Sequence, residues 1–471
     1  MKPAFMKAET LMLAVALAWA IAVYAVSPFY MPMLDSAAYA DIAKNLAAGK
    51  GFLLGESPTD TAPLLPILLS VFMLVAGQAW IPAYLAFAAF LMAISIFYLA
   101  EDFKKGSGSI AVLVMPTLAL PVLLSLQVLT DVLFLVFVNA GVLLLRRFLR
   151  QPTYRAAFLS AVVISLSYML RPTGLFLISF AFLVCAWHAY KGKVRVSMIL
   201  PLVLIAVAVF GSWEAYKIAG GFQGTAAYRI GMAGGPRAKI AFALEDDYNG
   251  DLVFAASVPI QAGNLLRLVF FILIFAAPTM LVSFAVLARK ALKEGKGAAF
   301  DWMFMLLWLA VFLAPHVTVV PSMVARYMLP VIPVFVIAFS WFISNLLGGK
   351  GFRVFGVEVN KRALIAFILI VHLAFSFAAY RWYYPRTEHL TSRVFSDAGV
   401  WISSLPQNST FSSQDIGIGD FHYNSGRALQ NGDTDYIIRS DAVINETIEG
   451  YAICKRFADS FHWVEILGKG C

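Results

Sequence analysis

Long stretches of this chain carry no charge. Residues 11–34, 61–100, 106–130, 268–288, 302–325, 327–349 and 363–380 contain no Asp, Glu, Lys or Arg. A membrane span needs about 20 apolar residues. Lipid offers no partner to an open backbone, so each run is expected to be helical. The first helix is expected over about 9–30. Its length and the spans that follow argue against a cleaved signal peptide. The run 61–100 predicts two spans, broken near Gly77 and Pro82. Residues 106–145, interrupted only by Asp131, predict two more. The expectation is a polytopic α-helical membrane protein with 11–13 transmembrane helices, occupying residues 1–384.

Three regions break the apolar pattern. The first is the loop 31–60. Ser36 reads as an N-cap after Asp35, and Tyr39, Ile42, Ala43 and Leu46 recur at helical spacing. A short amphipathic helix at the membrane surface is expected, stopped by Gly49 and Gly51. The second is the loop 214–267, which is glycine-rich and contains Glu245-Asp246-Asp247. The third is the tail, residues 385–471. Its turn dipeptides alternate with short apolar runs such as Tyr436-Ile-Ile, which predicts a small α/β domain.

Composition agrees with this pattern. Of 471 residues, 61% are hydrophobic and 13% charged, with a mean hydropathy of +0.79. An ordinary soluble domain is far less apolar. The net charge of +9 would suggest nucleic acid in a soluble protein. Here most basic residues lie between the apolar runs, so they report topology and no nucleic-acid partner is expected. The groups are Arg146, Arg147, Arg150 and Arg155; Lys191, Lys193 and Arg195; Arg289, Lys290, Lys293 and Lys296; and Lys350, Arg353, Lys361 and Arg362. The positive-inside rule places these in the cytoplasm with the N-terminus, and the loop 214–267 and the tail outside. Counting spans through the first third would put Arg146–Arg155 outside, so that third holds one span more or fewer than its runs indicate. The three cysteines, Cys185, Cys454 and Cys471, have no metal spacing; Cys454 and Cys471 could pair outside the cell, but free thiols are the favoured reading.

A few isolated charges could carry chemistry. Asp35 follows the first helix exit. It fits a catalytic carboxylate at the outer surface, and equally a residue at a helix start. Asp131 is the only charge between 106 and 145. A carboxylate there needs a cavity or a partner, although a loop between two spans would also accept it. Arg171, in Leu170-Arg-Pro-Thr-Gly174, is the only charge between Arg155 and Lys191. Arg326 is the only charge between Asp301 and Lys350. Both fit anion clamps, because arginine grips phosphate through paired N–H groups. Either could instead snorkel to lipid headgroups. No phosphate-binding loop, His-Glu-x-x-His or Cys-x-x-Cys motif is present.

The order of these segments resembles the GT-C membrane glycosyltransferases. The nearest resemblance is to bacterial and archaeal relatives of the protein O-mannosyltransferases and of the lipid A aminoarabinose transferases. It rests on Asp35 and Tyr39, then "IAKNLAAGKGF", "TAPLLPILLS", Asp131 in "LTDVLF", "LRPTG", "ARYMLPVIPVF" and the tail segment "DIGIGDFHYNSGRAL" at 415–429. The resemblance implies a sugar donor carried on polyprenyl phosphate. It implies transfer at the outer membrane face to a hydroxyl of a lipid, glycan or protein. Asp35 then matches the catalytic loop acid, Asp131 a second acid, and Arg326 an arginine beside the lipid phosphate. Tyr39, Arg171 and Tyr327 are the accompanying candidates for substrate binding. A divalent cation at the two acids is compatible with this chemistry but not required by it. The chain departs from its relatives at Ser36, where many have Glu, and at Thr61-Ala62-Pro63, where the aminoarabinose transferases have Lys-Pro-Pro. A transporter or flippase of a lipid-linked substrate, or a lipid-linked glycan polymerase or ligase, would use similar residues.

Overall fold

The uncharged runs fold as helices because the backbone has no other way to satisfy its polar groups in lipid. The computed structural model describes residues 2–27, 35–222, 260–294, 296–318, 325–348, 352–354, 357–383, 401–406, 409–413, 435–440, 451–458 and 463–469. Among the described residues, six helices are long and apolar enough to cross a membrane, or eight if each of two bent pairs is one span. Three shorter apolar helices, Tyr154–Leu170, Gly174–Tyr190 and Phe300–Pro315, accompany them. The lower end of the expected 11–13 spans is reached only when these are counted too. The chain is a multi-pass membrane protein.

The chain divides into two units. The first comprises Met1–Ala22, Ala86–Ser125 and Thr130–Tyr383. Its helices are α1 (Lys2–Val26), α4 (Trp80–Phe103), α5 (Gly108–Val114), α6 (Ala119–Ser125), α7 (Thr130–Arg150), α8 (Tyr154–Leu170), α9 (Gly174–Tyr190), α10 (Leu200–Ala219), α11 (Ile260–Phe275), α12 (Ala277–Glu294), α13 (Lys296–Thr318), α14 (Ile332–Gly348) and α15 (Lys361–Tyr383). A 3₁₀ turn, Ala325–Val331, leads into α14. Residues 223–259, with Glu245–Asp247, lie outside the described residues. Helix α8 packs against α7, α9 and α10. Aromatic side chains tie α4, α9 and α13 together: Phe180 meets Phe304 edge-on at 4.9 Å, and Phe304 meets Phe103 at 6.2 Å.

Two bends interrupt this unit. The pair Gly108–Thr117 and Ala119–Ser125 turns through 72°, and the pair Leu265–Phe275 and Ala277–Arg289 through 100°. Ala277 takes a left-handed φ of 52° at the second bend. His372, buried on α15, reaches both breaks. Its Nε2 lies 3.0 Å from Thr117 Oγ1 and its Nδ1 lies 3.3 Å from Thr279 Oγ1. The Thr117 hydroxyl already donates to the Val114 carbonyl. It therefore accepts from Nε2–H, which leaves Nδ1 to accept from Thr279. The same ring stacks on Phe339 at 5.1 Å.

The sequence reading placed Arg146 in a basic loop. It lies instead inside α7, and its side chain is 1% exposed. Its Nε donates to Asp102 Oδ2 at 2.9 Å, and its Nη1 lies 2.8 Å from Asp301 Oδ1. The guanidinium stacks on Phe103, 3.5 Å from the ring centroid. Arg150 shares Asp102 at 2.9 Å. Two acids from neighbouring helices thus neutralise two basic residues of α7, which a linear reading of charge cannot show. The basic segment near 350 likewise contains a hairpin, β3 (Phe352–Val354) with β4 (Val357–Val359).

The second unit comprises Val23–Leu85, Leu126–Leu129 and Tyr384–Cys471. Helix α2 (Asp35–Ala47) packs against α3 (Leu64–Ala76). The helix starts at Asp35, so Ser36 is not the N-cap but a buried residue of the first turn. Strands β1 (Leu53–Leu54) and β2 (Ser57–Pro58) form a short hairpin after it. The two spans expected in 61–100 are one helical run, Leu64–Phe103, with a 3₁₀ turn at Gly77–Ala79. Glycine supplies the break there, at φ 53°, and Phe72 and Tyr84, on either side of it, meet edge-on at 5.9 Å.

The tail holds a four-stranded sheet in the order β5 (Phe411–Ser413), β6 (Tyr436–Ser440), β8 (Trp463–Gly468), β7 (Ala452–Ala458). Strands β5 and β6 are parallel, and the other pairs are antiparallel. Asp435 clamps the parallel pair, accepting from Thr410 N at 2.7 Å and Thr410 Oγ1 at 2.8 Å. Phe411, Ile438, Ile466 and Leu467 are buried. Segment 415–429 lies outside the described residues. Cys454 is disulfide-bonded, against the sequence reading of free thiols. Cys471 is outside the described residues, and Cys185 is a buried free thiol.

Removing one member of a buried ion pair strands the other charge. Arg146→Ala is therefore expected to cost about 3–5 kcal/mol. Adding Asp102→Asn and Asp301→Asn should recover part of that loss. Chemical unfolding in detergent, compared across the three proteins, checks both outcomes.

Candidate active site

In the first unit, the start of α7 and the end of α8 meet. Asp131 sits in the first turn of α7, where the helix dipole favours a negative charge, and is 2% exposed. Helix α8 ends at Leu170, because Pro172 disfavours helical geometry in the residue before it. Arg171 accordingly turns extended, with φ −159° and ψ 135°. Its N–H still donates to the Ser167 carbonyl at 3.1 Å, and its own carbonyl accepts from Gly174 N at 2.8 Å. Gly174 has no room for a side chain, since a Cβ would come within 2.4 Å of Tyr168 N and 2.6 Å of Ser167 O. That close approach folds the turn back onto α8 and fixes where the Arg171 side chain begins.

The guanidinium of Arg171 pairs with Asp131 through Nη1 and Oδ1. It is 13% exposed, and it keeps further N–H groups besides the one given to Asp131. Its Cζ lies 5.5 Å from the centre of the Tyr327 ring, within cation–π range. Asp131, Arg171 and Tyr327 are thus brought together. Arg326 precedes Tyr327 on the 3₁₀ turn and is half-buried. That turn runs for seven residues, longer than 3₁₀ geometry usually holds. It is supported by packing against α6, α7, α11, α13 and α14.

Two features escaped the sequence reading. Arg267, 3% exposed, lies within α11, which packs on the same 3₁₀ turn. In the linear pattern it falls at the end of the loop 214–267. The available signal was a lone arginine inside an otherwise apolar helical pattern. The second feature is a polar cluster one turn before Arg171. The Tyr168 hydroxyl donates to Glu214 Oε1, and Lys217 pairs with the same oxygen. Tyr168 and Lys217 are buried. Helix α10 extends through what was expected to be the beginning of an outer loop.

In the second unit, Asp35 opens α2 and is exposed; Tyr39, one turn later, is half-buried. The polar anchor of this helix is a different acid. Asp41, fully buried, accepts from Gly55 N at 2.6 Å. Asn45 donates to the Leu53 and Gly55 carbonyls, each at 3.0 Å. Asp41 and Asn45 are four residues apart on one helix face and together hold the β1–β2 hairpin.

No protein-family model and no curated protein sequence matches the chain. Solved structures do. ArnT from Cupriavidus metallidurans, bound to undecaprenyl phosphate, matches with a TM-score of 0.58 at 11% identity, covering 97% of each chain. The chain has the GT-C fold. The Archaeoglobus fulgidus oligosaccharyltransferase, solved with Zn and sulfate, matches with a TM-score of 0.59 at 12% identity, covering 91% of this chain and 68% of that one. The oligosaccharyltransferase AglB of the same organism, solved with an inhibitory peptide and a dolichol-phosphate, gives 0.59 at 11%, covering 90% and 64%. Within the GT-C fold of this chain, the described residues contain no group of three or more His, Cys, Asp or Glu that could hold a metal ion. Asp131 is already held by an arginine, which a cation would have to displace.

Asp131→Asn should leave Arg171 without its counter-ion and lower stability by about 3–5 kcal/mol. The apolar double substitution Asp131→Leu with Arg171→Met should be much less costly, because neither charge is then buried alone. Unfolding midpoints of the single, double and unsubstituted proteins measure the difference.

Proposed function

We propose that this chain is a glycosyltransferase that moves a sugar from a polyprenyl-phosphate donor to a hydroxyl of a lipid, glycan or protein at the outer face of the cell membrane. The observation that carries this reading is Arg171, locked by Asp131 and backed by Tyr327 on a GT-C fold. A lipid phosphate is anionic, and its charge grows as the sugar leaves. Arg171, with Arg326 and Arg267 on elements around the same 3₁₀ turn, supplies positive charge already in place, which lowers the barrier. Asp131 positions Arg171. Asp35 takes the proton of the acceptor hydroxyl as it attacks the anomeric carbon, and Tyr39 contacts the substrate beside it. The C–O bond to phosphate breaks as the new glycosidic bond forms. This single displacement inverts the anomeric centre.

Residues 1–384 form the membrane part in this reading and 385–471 an extracytoplasmic domain, with the N-terminus in the cytoplasm. The disulfide at Cys454 supports an oxidising surrounding for the tail. A second reading, a transporter or flippase of a lipid-linked substrate, draws support from the two bent helix pairs. A glycan polymerase or ligase would share the chemistry and differ only in acceptor.

The test is transfer by the purified protein in vesicles, supplied with radiolabelled polyprenyl-phosphate sugars and total cell lipid and protein. Asp35→Asn is expected to slow transfer by roughly 10²–10⁴-fold. Arg171→Met is expected to weaken use of the donor. Equal transfer by Asp35→Asn and the unsubstituted protein would sink the assignment. Movement of labelled lipid between leaflets without transfer would favour the second reading. The same assay with a chelator tests a divalent cation.

A further inference from the structure

Between Val132 and Trp213 the sequence contains no Asp or Glu but eight Arg and Lys residues. Arg171 stands at one end of α8. The other basic residues gather at the opposite end, because α8 packs against α7, α9 and α10 and so brings the α7–α8 and α9–α10 connections together. The Tyr154 hydroxyl, at the start of α8, lies 3.3 Å from Ser197 Oγ and links the two connections. A 17-residue helix separates this end from Arg171 by roughly 25 Å at 1.5 Å per residue.

Charge at this end is only partly neutralised. Asp102 and Asp301 take Arg146 and Arg150. Arg147, Arg155, Lys191, Lys193 and Arg195 are exposed, and none has an ion pair among the described residues. Apolar side chains stand exposed beside them: Tyr190 at 80% and Val196 at 74%. Lys191 Nζ lies 4.7 Å from the Trp187 ring centre and 5.3 Å from that of Tyr190. Basic heads next to exposed aromatic and aliphatic groups, at the ends of apolar helices, match a molecule with an anionic head above an apolar body.

We propose that the α7–α8 and α9–α10 connections form a binding site for the headgroup of an anionic phospholipid of the bilayer. Lys191, Lys193, Arg195 and Arg155 hold the phosphate, and Tyr190 and Val196 lie against the lipid below it. The exposed apolar residues decide the source, since free phosphate gives them nothing to cover. This site stands apart from the sugar-transfer reading and does not depend on it.

The test counts lipids retained by the full chain in native mass spectrometry, after reconstitution in mixed phosphatidylglycerol and phosphatidylcholine. The unsubstituted protein should retain phosphatidylglycerol preferentially. Replacing three charges, Lys191→Gln, Lys193→Gln and Arg195→Gln, should cut that retention about tenfold or more. A control at the start of α15, Lys361→Gln with Arg362→Gln, should not. Unchanged retention in the triple variant, equal loss in the control, or displacement of the lipid by inorganic phosphate would overturn the site. Should the triple variant fail to fold, two further measurements decide. Retention by the unsubstituted protein should fall as salt is raised, and Tyr190→Ala should weaken it with every charge intact. Retention indifferent to both would also overturn it.

Discussion

A charge inside an apolar helix bundle must find its opposite, and the arrangement of this protein follows from that demand. Asp131 and Arg171 meet it at one end of α7 and α8; Arg146 with Asp102 and Asp301 meets it at the other end of α7. The first joins the far ends of two consecutive helices and the second ties α7 to α4 and α13, so satisfying the charge also fixes the packing. The cost of desolvating such ions is high and the net stabilisation small. Their value is in specifying one arrangement, because a shifted helix would leave a charge alone.

The 3₁₀ turn Ala325–Val331 is the second organiser. It is held from several sides by helices of the same unit, and it places Tyr327 against the Arg171 guanidinium. Tight 3₁₀ geometry is unfavourable over seven residues, and surrounding helices compensate. His372 links the two bends to each other through the Thr117 and Thr279 hydroxyls. Irregular backbone is thus supported by specific partners in the interior, as a lipid surrounding requires.

The site was partly legible in the sequence. Arg171 and Asp131 stood out because each was the lone charge in its stretch, and a lone charge among apolar residues needs a reason. Tyr327 followed from its place beside Arg326. Arg267 and Lys217 were missed although the same logic applies, because each lay at the edge of a stretch taken for a loop. Asp41 was passed over for Asp35. In the linear pattern both are acids of one short helix. Only the β1–β2 hairpin, folding back so that Gly55 donates to Asp41, distinguishes the buried anchor from the exposed acid.

The sequence by itself determined that the chain is helical and membrane-spanning, where most of its helices lie, and which isolated charges required partners. These depend on composition and local period, which the solvent reads directly. Tertiary structure decided the rest. It chose Asp131 for Arg171, and Asp102 and Asp301 for Arg146. It set a 3₁₀ turn at Gly77–Ala79 between α3 and α4, and bent the chain at Ala277. A pairing between residues forty or more positions apart depends on which helix faces which. That is settled by side-chain packing and the satisfaction of buried charge, neither of which is written in any one stretch of the chain.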